Sequence, residues 1–269
     1  MRDAGASVIV AAIGWIMSDP MVPRAAATIL PLRDGPGGLE VLLVRRNPAS
    51  EFVGGAHVFP GGALEAEDAD LGARVTGIDD ATASRALGVA SGGLAYFVAA
   101  ARELFEEAGL LLADAATTDP GALGAWQAAM NERRSTLGEV LASEGLHLDL
   151  GQMRYIGHWV TPLGQPRRYD TRFFLVPAPR EQVAAHDRGE TVAHTWMRPV
   201  DALAAGARGS ITLILPTIQT LRQVALLPDV AGALAWAAHL GPISRIEPHL
   251  RERRGHPWIT LPGEPGYDD

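Results

Sequence analysis

Arg102-Glu103-Leu104-Phe105-Glu106-Glu107-Ala108-Gly109 closes a segment, residues 95–108, in which Phe97, Ala101, Leu104, Phe105 and Ala108 recur at helical spacing. The spacing predicts a helix, with Gly109 where a left-handed backbone would end it. Residues three and four apart share a helix face, so Glu103 stands beside Glu106 and Glu107 while Leu104, Phe105 and Ala108 turn to the core. Three like charges near a helix C-terminus repel one another and oppose the helix dipole. One reading is a solvated acidic face. The other is a cradle for a divalent cation, which reverses the sign of that cost; carboxylate oxygens suit Mg2+ or Mn2+. Arg102 can orient or pair a carboxylate, and the upstream Pro60-Gly61-Gly62 lets backbone approach a ligand closely.

Outward from this helix, residues 25–32 and 40–45 are short apolar runs separated by Arg33-Asp34-Gly35-Pro36-Gly37-Gly38, which predicts strand, turn, strand. Val41-Leu42-Leu43-Val44 is apolar throughout, as in a strand covered on both faces. His57-Val58-Phe59 reads as a short strand. Residues 66–94 read as an insertion of loop and weak helix, and 111–150 hold helical pieces at 123–134 and 137–144. Strands resume at 155–160, 171–176 and 194–197, and helices follow at 199–205, 213–227 and 230–240. Strands before and after a central helix, with further helices late, predict an α/β fold with a mixed sheet between helices. The expected division is an N-terminal extension 1–23, one domain 24–240 with insertions at about 66–94 and 111–150, and an irregular tail 241–269 with five prolines and Arg251, Arg253 and Arg254.

The chain of 269 residues has no cysteine and no lysine, so all 23 basic residues are arginine against 31 acids, a net charge of −8. Without cysteine there is no disulfide framework, thiolate zinc site or cysteine nucleophile. The acidic balance speaks against non-specific nucleic-acid binding, and no nucleophile-elbow pattern marks a serine hydrolase. Phosphate would have to be met by arginine or by a metal ion. The apolar run 6–17 behind Arg2 is shorter than the about 20 residues that span a bilayer. It has the length of a signal-peptide core, but Asp3 spoils the positive leader. The expectation is a helix or a misplaced start, with Met17 or Met21 as rival starts, in a cytoplasmic protein without membrane or nucleic-acid partners.

The glutamate segment resembles the second half of the Nudix box, Arg-Glu-x-x-Glu-Glu-x-Gly and an aliphatic residue, here Leu110. The first half is similar to Gly62, five residues and an acid, with Asp68 where the family usually has Glu. The family usually has seven residues before the arginine; here there are 33, residues 69–101. This split resembles one subgroup, which includes the mammalian peroxisomal coenzyme A diphosphatase. Also similar to it are Val41-Leu42-Leu43-Val44-Arg45-Arg46, the stretch 55–65, and Trp159-Val160-Thr161-Pro162 running on to 168–174. Of the signature of coenzyme A-cleaving members, Leu42, Leu43, Arg46, Gly55 and residues 59–62 fit; Val44, Asn47 and Glu51 stand where Thr, Ser or Ala, and Arg would be.

The resemblance implies a Nudix-type α/β/α sandwich with helical insertions. It implies metal-dependent hydrolysis of a nucleoside diphosphate linked to another group, with coenzyme A or acyl-coenzyme A as the leading substrate. The alternatives are ADP-ribose, dinucleotides or nucleoside triphosphates, or a non-catalytic nucleotide sensor. It also implies Mg2+ or Mn2+ on Glu103, Glu106, Glu107 and the Gly61 carbonyl, with Arg102 holding the glutamates. The general base is Glu190 if it is more than an exposed loop acid; Asp68 is the second candidate, or a turn residue. Arg46, Arg168 and Arg172 are candidate phosphate donors or surface ion-pair partners, and Tyr169 stacks on a base or belongs to the core. His57 packs or caps a strand. A homodimer is compatible with all of this.

Overall fold

The computed structural model describes residues 21–50, 53–113, 119–187, 189–253, 256–265 and 267. The apolar run 6–17, Glu51 and Arg188 lie outside them. In chain order β1 (Arg24–Gly35) and β2 (Gly38–Arg46) form a hairpin, followed by β3 (His57–Val58), β4 (Gly61–Ala63) and a 3-10 helix over Ala66–Arg74. Next come β5 (Val75–Thr76), α1 (Asp80–Leu87), α2 (Gly93–Ala108), α3 (Pro120–Asn131), α4 (Leu137–Glu144) and β6 (Leu148–Asp149). Then follow β7 (Arg154–Val160), β8 (Tyr169–Pro177), β9 (Thr191–Met197), α5 (Pro199–Ala207), α6 (Leu215–Val224) and α7 (Val230–Ala238). Three strands end the chain: β10 (Arg245–Ile246), β11 (His249–Arg253) and β12 (His256–Thr260).

The main sheet runs β10-β7-β8-β1-β2-β3, with β4 on β1 and β9 on β2. It is mixed: β1 lies parallel to β8 from Arg24 opposite Tyr169 to Leu32 opposite Pro177, and antiparallel to β2. β2 pairs only with the far end of β1, Leu32 to Gly35. In the gap that opens before it, β4 covers Ala26 to Thr28 of β1, while β3 covers Val44 and Arg45 of β2. The segment 57–63 therefore fills a split in the sheet, and Gly61 and Gly62 stand in that split.

Both faces of the sheet are covered. One carries Ile29, Leu42 and Phe174 against Phe97, Leu104 and Phe105 of α2; the Phe97 and Phe174 rings are 4.6 Å apart. The other carries Leu30, Val41, Leu43 and Leu175 against Leu221 and Val224 of α6 and Ala233 and Ala237 of α7. Val41 to Val44 are all fully buried, as a strand between two helical layers requires. The result is the α/β/α sandwich with a mixed sheet that the element pattern predicts. α2 ends at Gly109, whose φ of +66° needs glycine and whose N–H donates to the Phe105 carbonyl.

The segment 241–269, expected to be irregular, holds three strands among its described residues. β10 adds to the main sheet parallel to β7, with Ile246 opposite Trp159, and β11 and β12 form a hairpin with Leu250 opposite Ile259. Its order comes from contacts distant in sequence: Glu247 is ion-paired by Arg168 and by Arg245, the latter at 2.6 Å. Tyr267 stacks on His249 at 4.1 Å and donates through its hydroxyl to the Glu247 carbonyl. Among the described residues no helix is long and apolar enough to cross a membrane.

Candidate active site

Arg102 is the centre of the acidic helix. It is 5% exposed and all its donors are engaged. Nε and Nη2 bind Asp68 at 2.9 and 3.2 Å, and Nη2 also reaches the Ala63 carbonyl. Nη1 donates to Glu103 and to Glu106, each at 2.9 Å. Burial works against the guanidinium charge, but the Asp68 hydrogen bond and the charges of Glu103, Asp68 and Glu106 outweigh it and raise its pKa. Asp68, the second candidate for the base, is instead the buried anchor of Arg102; its other contact is the Glu65 N–H at 2.7 Å.

Glu107 and Glu103 make the centre of negative charge. Burial raises the Glu107 carboxyl far above the usual range, and Glu103 and Glu190 raise it further against the smaller effects of Arg46 and the Gly61 N–H. Burial likewise pushes Glu103 up to about 8, opposed by Arg102 and supported by Glu106 and Glu190. Glu106 is raised by burial and partly relieved by Arg102. Glu107 Oε2 accepts from the Gly61 N–H at 3.2 Å, whereas Oε1 is buried without a hydrogen-bond partner. Gly62 lies so close that a Cβ there would sit 2.4 Å from Glu103 Oε1. The Gly61 peptide, expected to offer its carbonyl, meets the glutamates here through its N–H.

Glu190 joins this group from the loop before β9. Its carboxylate pairs with Arg46 at 2.8 Å, and its charge acts on both Glu103 and Glu107. Sequence spacing alone does not single out the clasp that holds it. Asp187 accepts from the N–H groups of Glu190 and Thr191 at 2.8 and 2.7 Å and from the Thr191 hydroxyl at 2.6 Å. Asn47 N–H donates to the Glu190 carbonyl at 2.8 Å. An acid, glycine and hydroxyl residue within five positions is the signal that marks such a turn.

A cavity of about 620 Å3 abuts the carboxylates and shares Arg46, Gly61 and Gly62 with them. Tyr169 lines it; Arg168 and Arg172 do not. Arg168 is buried, donating to the Thr161 and Met21 carbonyls and pairing with Glu247. Arg172 is buried against Asp170 and His158, with its guanidinium 5.5 Å above the Tyr96 ring. Neither is available as the phosphate donor expected of it. The reason is the two-residue period of β8: Tyr169, Thr171 and Phe173 face the cavity, so Asp170 and Arg172 face away. Arg167, which the sequence reading did not single out as a phosphate donor, does line the cavity. Arg46 lines it too, and its Nε is buried without a partner. His57 pairs in β3 and lies outside the cavity lining; burial and Arg45 lower its pKa.

Among the described residues no three acidic or histidine side chains already converge on one point, since Arg102 draws Glu103 and Glu106 toward itself. The donor set nevertheless fits a hard divalent ion. It consists of carboxylate oxygens alone, two of the three groups are buried with raised pKa, and Glu107 Oε1 is an unpaired acceptor.

Fold and site together define a Nudix-type domain. A family model described as NUDT19 Nudix domain matches residues 79–224, just over half of the chain. The human protein named acyl-coenzyme A diphosphatase NUDT19 is 28% identical over 261 residues, covering 82% of this chain and 68% of its own length. The Gallus gallus protein of the same name is 28% identical over 233 residues, covering 70% of this chain and 61% of its own. The chain thus spans about two thirds of the length of these relatives. The crystal structure of a NUDIX hydrolase from Alicyclobacillus acidocaldarius superposes with a TM-score of 0.67 at 32% identity, covering 82% of this chain and 97% of that one. The chain belongs to the Nudix hydrolase family, in the group of the NUDT19 Nudix domain.

Proposed function

We propose that this protein is a divalent-metal-dependent pyrophosphohydrolase that cleaves the diphosphate of coenzyme A or an acyl-coenzyme A. The observation that carries the reading is Glu107 Oε1, a buried carboxylate oxygen without a partner, in a helix face that also buries Glu103. Such an arrangement is costly in the free chain and is relieved by a cation. The names of the human and chicken relatives support the substrate class.

Glu103, Glu107 and Glu106, with the Gly61 carbonyl, would hold Mg2+ or Mn2+. A bound ion of this kind neutralises the diphosphate and lowers the pKa of water at neutral pH. Arg102 keeps Glu103 and Glu106 on one side of the site through a single nitrogen, Nη1. Glu190 accepts the proton of the attacking water at Oε2, since Oε1 is occupied by Arg46. Arg46 offers its unpaired Nε to a phosphate oxygen, and Tyr169 borders the bound nucleotide in the cavity. A cytoplasmic setting remains part of the reading.

The test offers the purified protein coenzyme A, ADP-ribose, NADH and nucleoside triphosphates with Mg2+ or Mn2+, products being separated by chromatography, with Glu107→Gln in parallel. Cleavage of coenzyme A that is abolished in Glu107→Gln is expected. Preferential cleavage of ADP-ribose would replace the substrate, and binding without turnover of any of them would replace the enzyme by a sensor.

A further inference from the structure

The 620 Å3 cavity lies on the sheet face of Leu30 and Leu175, away from α2, and its far wall comes from the chain's C-terminal hairpin. Pro248, Leu250 and Ile259 line it there, and Leu213, Ile214 and Leu215, ahead of and at the start of α6, line it as well. Leu250 and Ile259 are direct cross-strand partners, so they present one aliphatic pair to the cavity. This wall is held by the Arg168–Glu247 pair, which also keeps Arg168 from the phosphate site, by the Arg245–Glu247 pair and by the Tyr267 hydroxyl on the Glu247 carbonyl. The hairpin lies outside residues 79–224, the span matched by the family model.

We propose that this hairpin completes a binding site for the aliphatic acyl chain of a thioester substrate, and that Leu250 and Ile259 set the preference for acylated over unacylated coenzyme A. The proposal rests on the reaction proposed above for the adjoining carboxylates. Aliphatic lining contributed by two separate segments suits a methylene chain, which gains from leaving water and asks for no directional partner. A nucleobase edge needs matched donors and acceptors; the aliphatic part of the lining, Leu250, Ile259, Leu213 and Ile214, supplies none, whereas Gln165, Arg167 and Tyr169 elsewhere in the lining leave the nucleotide to that part. The volume falls within the range of small-molecule sites. Because Gly61 and Gly62 border both the cavity and Glu103 and Glu107, a chain seated here stays continuous with a diphosphate at the carboxylates.

Octanoyl-pantetheine, which carries the acyl thioester without the diphosphate, separates this proposal from the reaction itself. Its affinity is measured by calorimetry for the parent, Leu250→Asp and Ile259→Asp, with thermal melting to verify folding. In parallel, the ratio of kcat/KM for octanoyl-coenzyme A to that for coenzyme A is determined. Both variants are expected to weaken octanoyl-pantetheine binding by about tenfold or more and to lower that ratio equally. Should the aspartates disrupt the hairpin, Leu250→Trp fills the cavity with an apolar ring and is expected to exclude the octanoyl chain all the same. No binding by the parent, or equal affinity in parent and folded variants, would overturn the proposal. So would adenosine competing for the site and losing affinity in the same variants. Absence of coenzyme A cleavage with octanoyl-pantetheine binding intact and hairpin-dependent would sink the reaction and leave the acyl site standing.

Discussion

Glu107 carries the largest unrelieved electrostatic cost in the site, and that cost has a measurable sign. A carboxyl whose folded pKa is raised stabilises the fold only while protonated. That contribution is complete below its ordinary value near 4.5 and is lost as pH rises through the folded value, about 8 for Glu103. The metal-free protein is therefore expected to lose thermal stability steadily between about pH 4.5 and 8. Glu107→Gln removes one buried charge and is expected to raise the metal-free Tm at pH 8, by about 2–4 °C per kcal/mol relieved. Differential scanning fluorimetry checks both, and Mn2+ should raise the Tm of the parent far more than that of the variant. A Tm that rises with pH in the metal-free parent would contradict the account. Asp68 works in the opposite sense: Asp68→Ala strips the buried Arg102 of two hydrogen bonds and is expected to cost about 1.5–3 kcal/mol in urea unfolding. It should also lower kcat, because Arg102 would no longer hold Glu103 and Glu106. The glutamate face was legible from its three-and-four spacing. That Asp68 anchors the arginine was not, because 33 residues separate the two and only the fold closes that distance.

Strand β8 teaches the complementary lesson at the scale of the element. The arginines in and just ahead of it, Arg167, Arg168 and Arg172, are indistinguishable as residues, and alternation divides them: Arg167 lines the cavity with Tyr169, Thr171 and Phe173, while Arg168 and Arg172 pack away from it. Arg172→Leu is accordingly expected to lower the Tm while leaving the KM for the diphosphate substrate within about twofold, whereas Arg46→Ala should raise that KM at least about tenfold. Steady-state kinetics on the two variants decide it, and the reverse pattern would contradict the orientation of the strand. The helix 93–108 was legible almost to the residue because its apolar period and its glycine stop agree. The C-terminal strands were not, because two- and five-residue strands carry little local signal and these are fastened by Glu247 to Arg168, far back in the chain. Contact between α1 and α2 is equally invisible locally. A Cβ on Gly93 would lie 2.4 Å from the Ser84 nitrogen, so Gly93→Ala is expected to destabilise by about 1–3 kcal/mol in the same unfolding assay.

At the scale of the molecule the order of elements sufficed to anticipate the sandwich, since continuous apolar strands must be covered on both faces and late helices supply the second cover. The split between β1 and β2 was beyond such reasoning, although it brings Gly61 and Gly62 against a helix that begins some thirty residues later. The net charge of −8 acquires a local meaning in this frame. Part of it is gathered at one end of the site as Glu103, Glu106, Glu107 and Glu190, with Arg102 bonded to Glu103 and Glu106 and Arg46 bonded to Glu190. The measurement that bears most directly on the whole account is Mn2+ binding by calorimetry, run alongside coenzyme A cleavage, in the parent and in Glu107→Gln. The account predicts that the parent binds the ion and cleaves coenzyme A, and that Glu107→Gln loses both while remaining folded and melting higher when metal-free. Cleavage at the parental rate by Glu107→Gln, or a parent that binds no divalent ion, would contradict it.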